Sequence, residues 1–193
     1  RAGTFDILSH IMETYFSFPI EDNVSDDISE ALMKGVIRDL RKALQNPEDY
    51  DARSNIMWEA SMAENRIIKM GKTKDFEVHN MEHQLSAYTD CNHGEGLAVL
   101  HPTYYRHIFR DGLGKFTRFA TNVWGLNPAD YADEGIQALE DFIRECGLPG
   151  TLRELGGDES TDLREIADSC YTAGGAFREI RQDEIYEIYK ECF

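Results

Sequence analysis

The stretch VSDDISEALMKGVIRDLRKALQN, residues 24–46, gives the clearest indication of the fold class of this chain. Its apolar residues recur every three or four positions, at Val24, Ile28, Ala31, Leu32, Val36, Leu40 and Leu44. This spacing places them on one face of an α-helix, whereas a half-buried strand would alternate apolar and polar residues. The stretch therefore predicts an amphipathic helix.

The same periodicity continues along most of the chain. Further predicted helices run from Thr4 to Pro19, from Asn46-Pro47 to Gly71, over 74–88, over 94–110 with an interruption at Pro102, from Asn127-Pro128 to Gly147, from Ser160 onward, and over 182–192. Thr4, Asn46 and Asn127 are the predicted N-caps, two of them followed by the proline that favours a first helical turn. The sequence contains no alternating β-branched run and no Asn-Gly hairpin turn between apolar segments, so we predict an all-α fold.

The charge of the chain limits its partners. Its 193 residues include 36 acidic residues against 20 Lys and Arg, for a formal net charge of -16. Because such a chain repels phosphate backbones and anionic lipid surfaces, we expect neither nucleic acid nor membrane as a partner. The length suits one domain with a continuous core.

Cysteine usage and the first residue bear on the cellular context. The four cysteines form no C-x-x-C pair and are widely spaced, so we expect free thiols in a cytoplasmic protein. The chain opens with Arg1 instead of an initiator Met, and we expect it to be a piece of a longer protein.

Histidines and carboxylates cluster in two parts of the sequence. Asp6 and His10 are four residues apart on a predicted helix, as are His79 and His83, so the members of each pair share one helix face. His93 follows a short break and begins the next predicted helix. One carboxylate with three imidazoles suits a divalent ion such as Zn²⁺ or Fe²⁺. The pattern predicts a metal site and leaves open whether His79 or His83 is the ligand.

Two other interpretations compete with this one. The segment HNMEH, residues 79–83, matches the H-x-x-E-H pattern of inverted zinc hydrolases, in which both histidines bind zinc and Glu82 activates water. That motif predicts flanking strands, which the sequence lacks, so Glu82 is expected behind a metal ligand or at the surface. The third interpretation is a helical interaction module without metal. His101 and His107 fall outside the cluster spacing and are expected on polar helix faces.

The glycines give no nucleotide-binding motif. Gly94-Glu95-Gly96 opens a predicted helix whose amides can face an anion, but the segment is not a G-x-G-x-x-G loop after a strand. The sequence contains neither a Walker A pattern nor a dinucleotide-binding βαβ unit. Any nucleotide phosphate site is therefore expected outside these residues.

Three segments together resemble the iron-containing alcohol dehydrogenase family. They are DILSHIME at 6–13, HNMEHQLSA at 79–87 and HGEGLAVLHP at 93–102. The chain is most similar to the branch of NAD(P)H-dependent butanol dehydrogenases and broad-range aldehyde reductases, and ARSNIMW at 52–58 and GGAF at 174–177 add to this likeness. The resemblance extends over essentially the whole chain.

The resemblance implies a domain organisation and a set of site residues. Family members have an N-terminal α/β domain that binds the dinucleotide and a C-terminal helical domain that holds the metal. Residues 1–193 resemble only the second, an all-α, bundle-like domain of the dehydroquinate synthase type. His83 is implied to be a catalytic residue near the nicotinamide and substrate. The implied metal ligands are Asp6, His10, His79 and His93.

The resemblance also implies a reaction. An ion of iron, zinc or another divalent metal polarises the oxygen of a small alcohol or aldehyde while hydride passes to or from NAD(H) or NADP(H). The dinucleotide is expected mainly in the N-terminal domain, so the isolated chain is expected to be inactive. A cytoplasmic enzyme that is a homodimer at full length is implied.

Overall fold

The computed structural model describes residues 1–127, 133–172 and 174–193. The regular secondary structure of these residues is entirely helical, which confirms the all-α prediction. These residues include a 3₁₀ turn at Ile67–Lys69 and a π-helical turn at Phe119–Val123. The α-helices of the described residues are α1 (Ala2–Tyr15), α2 (Val24–Gln45), α3 (Tyr50–Glu64), α4 (Glu77–Thr89), α5 (His93–Ile108), α6 (Leu113–Arg118), α7 (Asp133–Glu145), α8 (Leu163–Ser169) and α9 (Gln182–Glu191).

The helix predicted over 24–46 is α2, and its ends follow from its flanking residues. The Asn23 side chain accepts a hydrogen bond from the amide of Asp26 at 2.9 Å, which satisfies one of the free amides of the first turn. The amide of Asn46 closes the last turn, and its own backbone is extended. The prediction is confirmed to within one residue.

The predicted starts of two other helices are wrong. Thr4 lies inside α1, which already begins at Ala2. Asn46 does not cap the next helix, because Asp49 accepts a hydrogen bond from the amide of Ala52 at 3.0 Å and caps α3. Asp49 lies three residues after Asn46, and the two residues between them, Pro47 and Glu48, form a turn instead of a helix.

The predicted course of later helices also needs correction. The helix predicted to reach Gly71 ends at Glu64, and Arg66 then adopts a left-handed φ of 74° that a helix cannot include. Pro102 does not interrupt α5, which continues through it to Ile108. Helix α8 begins at Leu163, after a cap by Asp162. The signal at Asn127-Pro128 extends into residues outside the described ranges.

Helix α1 occupies the centre of the domain. It packs against α2, α3 and α5, and α5 in turn packs against α4. Its fully buried side chains include Phe5, Leu8, Ile11, Met12 and Tyr15. Burial of each such side chain contributes about 1.5–3 kcal/mol, so the position of α1 between its neighbours is strongly fixed. Polar residues on α1 are thereby held at set distances from those on α4 and α5.

A buried ionic cluster fixes the loop that leads into α4. Lys72 Nζ lies 2.8 Å from Asp26 Oδ1, and Lys115 pairs with the other oxygen of the same carboxylate. Lys72 also donates to the carbonyl oxygens of Tyr15 and Ser17, at 3.3 and 3.1 Å. Burial lowers the pKa of Lys72 to about 8 despite its pairing with Asp26. The loop before α4 is thus tied to the end of α1.

Two further observations concern the described residues as a whole. The cysteines Cys91, Cys146, Cys170 and Cys192 are free thiols, as predicted. Within 1–127, 133–172 and 174–193, we find no helix with the length and apolarity needed to cross a bilayer.

The contact between α2 and α3 contains a carboxyl group with a raised pKa. A Cβ at Gly35 on α2 would lie 2.3 Å from Glu59 Oε1 on α3, so glycine makes room for this carboxyl group. Burial, and then the nearby charge of Asp39, raise the pKa of Glu59 to about 7 from its ordinary 4.5. Because the folded chain holds this proton longer than the unfolded chain, its stabilising effect is complete below pH 4.5 and is lost as pH rises through 7.

Replacing Glu59 by Gln should remove this pH-dependent loss. We expect the free energy of unfolding of Glu59→Gln, relative to wild type, to increase steadily from pH 5 to pH 8 in urea denaturation. Glu187→Gln, at an exposed position on α9, is the matched control and should show no such trend. Parallel pH profiles for wild type and Glu59→Gln would contradict the raised pKa.

Candidate metal centre

Helix α1 presents one carboxylate and one imidazole on the same face. Asp6 and His10 lie one turn apart, and His10 Nε2 is 3.5 Å from Asp6 Oδ1. The other ring nitrogen, His10 Nδ1, lies 2.8 Å from Glu64 Oε1 at the end of α3. The spacing predicted from the sequence therefore brings the two side chains together.

Helices α4 and α5 bring two more imidazoles to the same carboxylate oxygen. His79 Nε2, in the first turn of α4, lies 3.4 Å from Asp6 Oδ1, and His93 Nε2, the first residue of α5, lies 3.6 Å from it. The ring centroids of His79 and His93 are 5.4 Å apart. Three imidazoles from three helices thus converge on one carboxylate oxygen.

These distances fit a shared metal ion. Four ligand atoms at about 2.1 Å from a tetrahedral ion lie about 3.4 Å from each other. The distances from Asp6 Oδ1 to the three ring nitrogens, 3.4 to 3.6 Å, are close to this value. Among the described residues, Asp6, His79 and His93 form a group whose ligand atoms all lie within 4.8 Å of one another. His10 approaches Asp6 equally closely but is not part of that group.

Two of the converging atoms have no other polar partner. Asp6 Oδ1 and His79 Nε2 are buried, and neither makes a hydrogen bond of normal geometry within the part of the chain that the structure describes. Buried polar atoms without a partner are uncommon, and an ion is one reason for them. The donor set and these two atoms therefore fit a divalent cation.

A second layer of carboxylates orients the rings. Glu13 Oε2 contacts His79 Nδ1, and Glu82 Oε2 contacts His93 Nδ1. Both glutamates are fully buried. When each Nδ1 donates its proton to a carboxylate, the Nε2 lone pair is left free to bind an ion, as is usual for metal-binding histidines. Glu82 therefore lies behind a ring and not at the surface.

Glu13 also closes the start of α4. Phe76, the residue before α4, has no side-chain group that can cap the helix. Instead, Glu13 Oε1 accepts hydrogen bonds from the amides of Val78 and His79, at 2.6 and 3.3 Å. These are amides of the first turn, which have no partner within the helix. One carboxylate of α1 thus fixes both the start of α4 and the orientation of its histidine.

The electrostatics of the cluster favour added positive charge. Burial opposes ionisation of Asp6, but its contact with His79 and the positive charge of the nearby imidazoles lower its pKa. Burial likewise favours a neutral His79, yet Asp6 and Glu13 outweigh it and raise the pKa of this ring to about 9. The hydrogen bond to Glu82 raises the pKa of His93. The surrounding carboxylates therefore stabilise a cation at the point where the rings meet.

The glycines at the start of α5 serve close packing. A Cβ at Gly94 would lie 2.3 Å from the carbonyl oxygen of Ala2, and a Cβ at Gly96 would lie 2.8 Å from Glu82 Oε1. Glycine is therefore required at both positions, because α5 approaches α1 at Gly94 and the carboxylate of Glu82 at Gly96.

His83 lies beside the converging histidines and is not one of them. Its ring stacks on His93 with centroids 5.4 Å apart, and it meets His79 edge-on at 6.0 Å. The side chain is exposed. Its ligand atom groups with those of Glu82 and His93, but not with Asp6.

Two histidines outside the cluster differ from each other. His101 is fully buried and lies 2.5 Å from Ser9 Oγ, so its expected place on a polar helix face is wrong. The i+8 spacing from His93 turns it inward on α5, where burial lowers its pKa well below the ordinary value. His107 is partly exposed and pairs with Glu184 and Glu191, as a polar position should.

Glu13 and Glu64 were not identified from the sequence. Glu13 follows Asp6 and His10 at the i, i+4, i+7 spacing of one helix face, so its position beside them was available as a signal. Glu64 lies at the end of a different helix, 54 residues beyond His10, and no spacing in the sequence relates the two.

Comparison with known proteins identifies the family. A family model described as "Fe-containing alcohol dehydrogenase family, C-terminal" matches residues 2–193. NADH-dependent butanol dehydrogenase B of Clostridium acetobutylicum is 40% identical over 199 residues, which cover 98% of this chain and 51% of that protein. The NADPH-dependent aldehyde reductase of Escherichia coli is 29% identical, over 97% of this chain and 50% of that protein.

A solved structure agrees with these sequence matches. The crystal structure of NADH-dependent butanol dehydrogenase A from Thermotoga maritima matches with a TM-score of 0.92 at 27% identity, over 99% of this chain and 51% of that one. The chain spans about half the length of the curated relatives that it matches. The resemblance noted from the sequence is confirmed: this chain belongs to the iron-containing alcohol dehydrogenase family, and it corresponds to the family's C-terminal region.

Proposed function

We propose that this chain is the metal-binding half of an NAD(P)-dependent alcohol dehydrogenase or aldehyde reductase. The observation that carries the proposal is the convergence of three imidazole Nε2 atoms on Asp6 Oδ1, at 3.4 to 3.6 Å. One carboxylate oxygen and three imidazole nitrogens suit Fe²⁺ or Zn²⁺. When bound, the ion supplies a Lewis acid that polarises the oxygen of an alcohol or aldehyde. Its proposed ligands are Asp6, His10, His79 and His93.

The buried glutamates prepare these ligands. Glu13 and Glu82 accept the Nδ1 protons of His79 and His93, which fixes the ring orientation and leaves each Nε2 directed toward Asp6. Because both carboxylates are fully buried, water does not compete for these contacts. The ligand geometry is therefore set before an ion arrives.

His83 is the proposed proton-transfer residue. Reduction of an aldehyde needs a proton on the oxygen in addition to the hydride, and oxidation of an alcohol must release that proton. His83 stacks on His93 and is exposed, so its ring can exchange protons both with a substrate at the ligand cluster and with water.

The reaction requires a second domain. The described ranges 1–127, 133–172 and 174–193 contain no strand and hence no dinucleotide-binding βαβ unit, and the chain matches about half of each curated relative. We therefore propose that an N-terminal domain binds NAD(H) or NADP(H) and completes the cleft, in a homodimer that acts in the cytoplasm. The relatives named butanol dehydrogenase and aldehyde reductase support small alcohols and aldehydes as the substrates.

The geometry argues against the zinc hydrolase interpretation. That mechanism needs His79 and His83 to share an ion while Glu82 is free to activate water. Here Glu82 is fully buried and engaged with His93, and its carboxylate has no access to solvent. The metal-free interaction module leaves the buried, unpartnered Asp6 Oδ1 unexplained.

Metal stoichiometry separates the three interpretations. We expect Asp6→Ala to lose bound metal because the oxygen at the centre of the cluster is removed, whereas His83→Ala keeps one ion per chain. Elemental analysis of the purified variants, with circular dichroism to verify folding, gives the result. The hydrolase interpretation predicts the reverse pattern, and the interaction module predicts no stoichiometric metal in wild type.

Removing the carboxylate behind His79 should weaken metal binding without removing a ligand. For Glu13→Gln we expect a loss of about 10- to 100-fold in Zn²⁺ affinity, the range typical of residues that orient metal-binding histidines. Competition with a chromogenic chelator measures the affinity, and the exposed surface position Glu187, as Glu187→Gln, is the matched control. Equal affinities for the two variants would remove the assigned role of Glu13.

Turnover tests the role of His83. In the full-length protein, His83→Ala should lower kcat for butanal reduction by about 100-fold, the lower end of general acid–base effects, and should change the pH profile of kcat. His107→Ala, which removes a histidine outside the cluster, should do neither. This chain alone should show no NAD(P)H oxidation, since the dinucleotide site is incomplete. An unchanged rate and pH profile for His83→Ala would refute the assignment.

A further inference from the structure

One short segment concentrates positive charge in this acidic protein. Residues 66–74, RIIKMGKTK, contain four cations and no carboxylate, although the chain carries a net charge of -16. Lys72 turns inward and pairs with Asp26. The other three cations line a groove of about 560 Å³, together with one carboxylate and one apolar side chain. The lining residues are Glu64, Arg66, Lys69, Met70 and Lys74.

The groove adjoins the candidate metal centre. Glu64 Oε1 lies 2.8 Å from His10 Nδ1 and 3.0 Å from Lys69 Nζ, so one carboxylate joins the groove to a proposed ligand. Lys69 Nζ also lies 5.2 Å above the Phe76 ring, whose centroid is 5.8 Å from that of His10. The groove therefore lies next to the His10 ring, on the side of Nδ1, whereas Nε2 faces Asp6.

The backbone of the groove is held in an unfavourable conformation. Arg66 and Lys74 have φ values of 74° and 61°, in the left-handed region that L-residues rarely adopt. The amide of Lys74 donates to Ser17 Oγ at 3.1 Å, and a Cβ at Gly175 would collide with the Lys74 carbonyl. Strained residues held by their surroundings are concentrated at ligand sites. The cationic side chains are thus attached to a fixed framework.

Two of the cations carry uncompensated charge. Lys69 pairs with Glu64, but Arg66 and Lys74 form no ion pair with any carboxylate in residues 1–127, 133–172 and 174–193. Both side chains are exposed. In a chain with 36 acidic residues against 20 basic ones, surface cations usually have acidic neighbours, so this pair leaves a local site for an anion. Met70 gives the groove an apolar side.

We propose that this groove binds an oxyanion group, a carboxylate or a phosphate, of a molecule that occupies the cleft at the metal centre. Arg66 and Lys74 supply the charge and Met70 contacts the carbon chain next to it. The groove would take the carboxylate of an aldehyde-acid substrate or a phosphate of the dinucleotide. The choice of these two ligands rests on the proposed function. Anion binding by the groove does not, because it requires neither turnover nor metal.

Calorimetric titration of the metal-free protein tests the proposal. One arm uses inorganic pyrophosphate, which represents the dinucleotide, and the other uses succinate, which represents a short aldehyde acid. The variants are Arg66→Gln/Lys74→Gln and the matched control Lys34→Gln/Lys42→Gln, which removes the same charge from α2. We expect saturable binding of one anion, weakened about tenfold by the first double variant and unchanged by the control.

The outcomes distinguish the ligand source and the failure of each proposal. Stronger binding of succinate supports a substrate carboxylate, and stronger binding of pyrophosphate supports the dinucleotide. Absence of saturable binding of both anions, or equal weakening of anion affinity by the two double variants, would overturn the proposed anion site. Failure of the proposed function appears separately, as absence of butanal reduction by the full-length wild type.

Discussion

The carboxylate of Glu13 is the contact on which the rest of the site depends. One of its oxygens accepts the first amides of α4, and the other accepts the Nδ1 proton of His79. Burying a carboxylate costs folding free energy unless its oxygens accept hydrogen bonds. Removing either set of donors would leave a buried charge, so α1 and α4 have one stable relative position.

The remaining geometry follows from that position. The apolar face of α1 fixes this helix in the core, and Asp6 lies two turns before Glu13 on the same helix. Gly94 allows the start of α5 to approach α1, and Glu82 of α4 then holds His93 against Asp6. The site is rigid because the apolar packing of the helices fixes the position of each polar group. Each of these groups therefore has few other partners within reach.

The features that depend on local sequence patterns could be predicted from the sequence. The helix over α2, the all-α class, the pairing of Asp6 with His10 and the family were accessible from periodicity and motif. The end of α3 at Glu64 was not, because the apolar pattern continues through Ile67 and Ile68 and no residue in the sequence marks the left-handed backbone of Arg66. Contacts between distant segments, such as that of Glu64 with His10, depend on how the helices pack, and no spacing in the sequence predicts them.

In the proposed site, one ion is held by a carboxylate oxygen and three imidazole nitrogens. The most direct measurement is a crystal structure of the protein grown with Zn²⁺, with the ion located by anomalous scattering. We expect one ion per chain, with ligand atoms of Asp6, His10, His79 and His93 at about 2.0–2.2 Å from it. An ion bound instead between Glu82, His83 and His93, or at no fixed position, would contradict it.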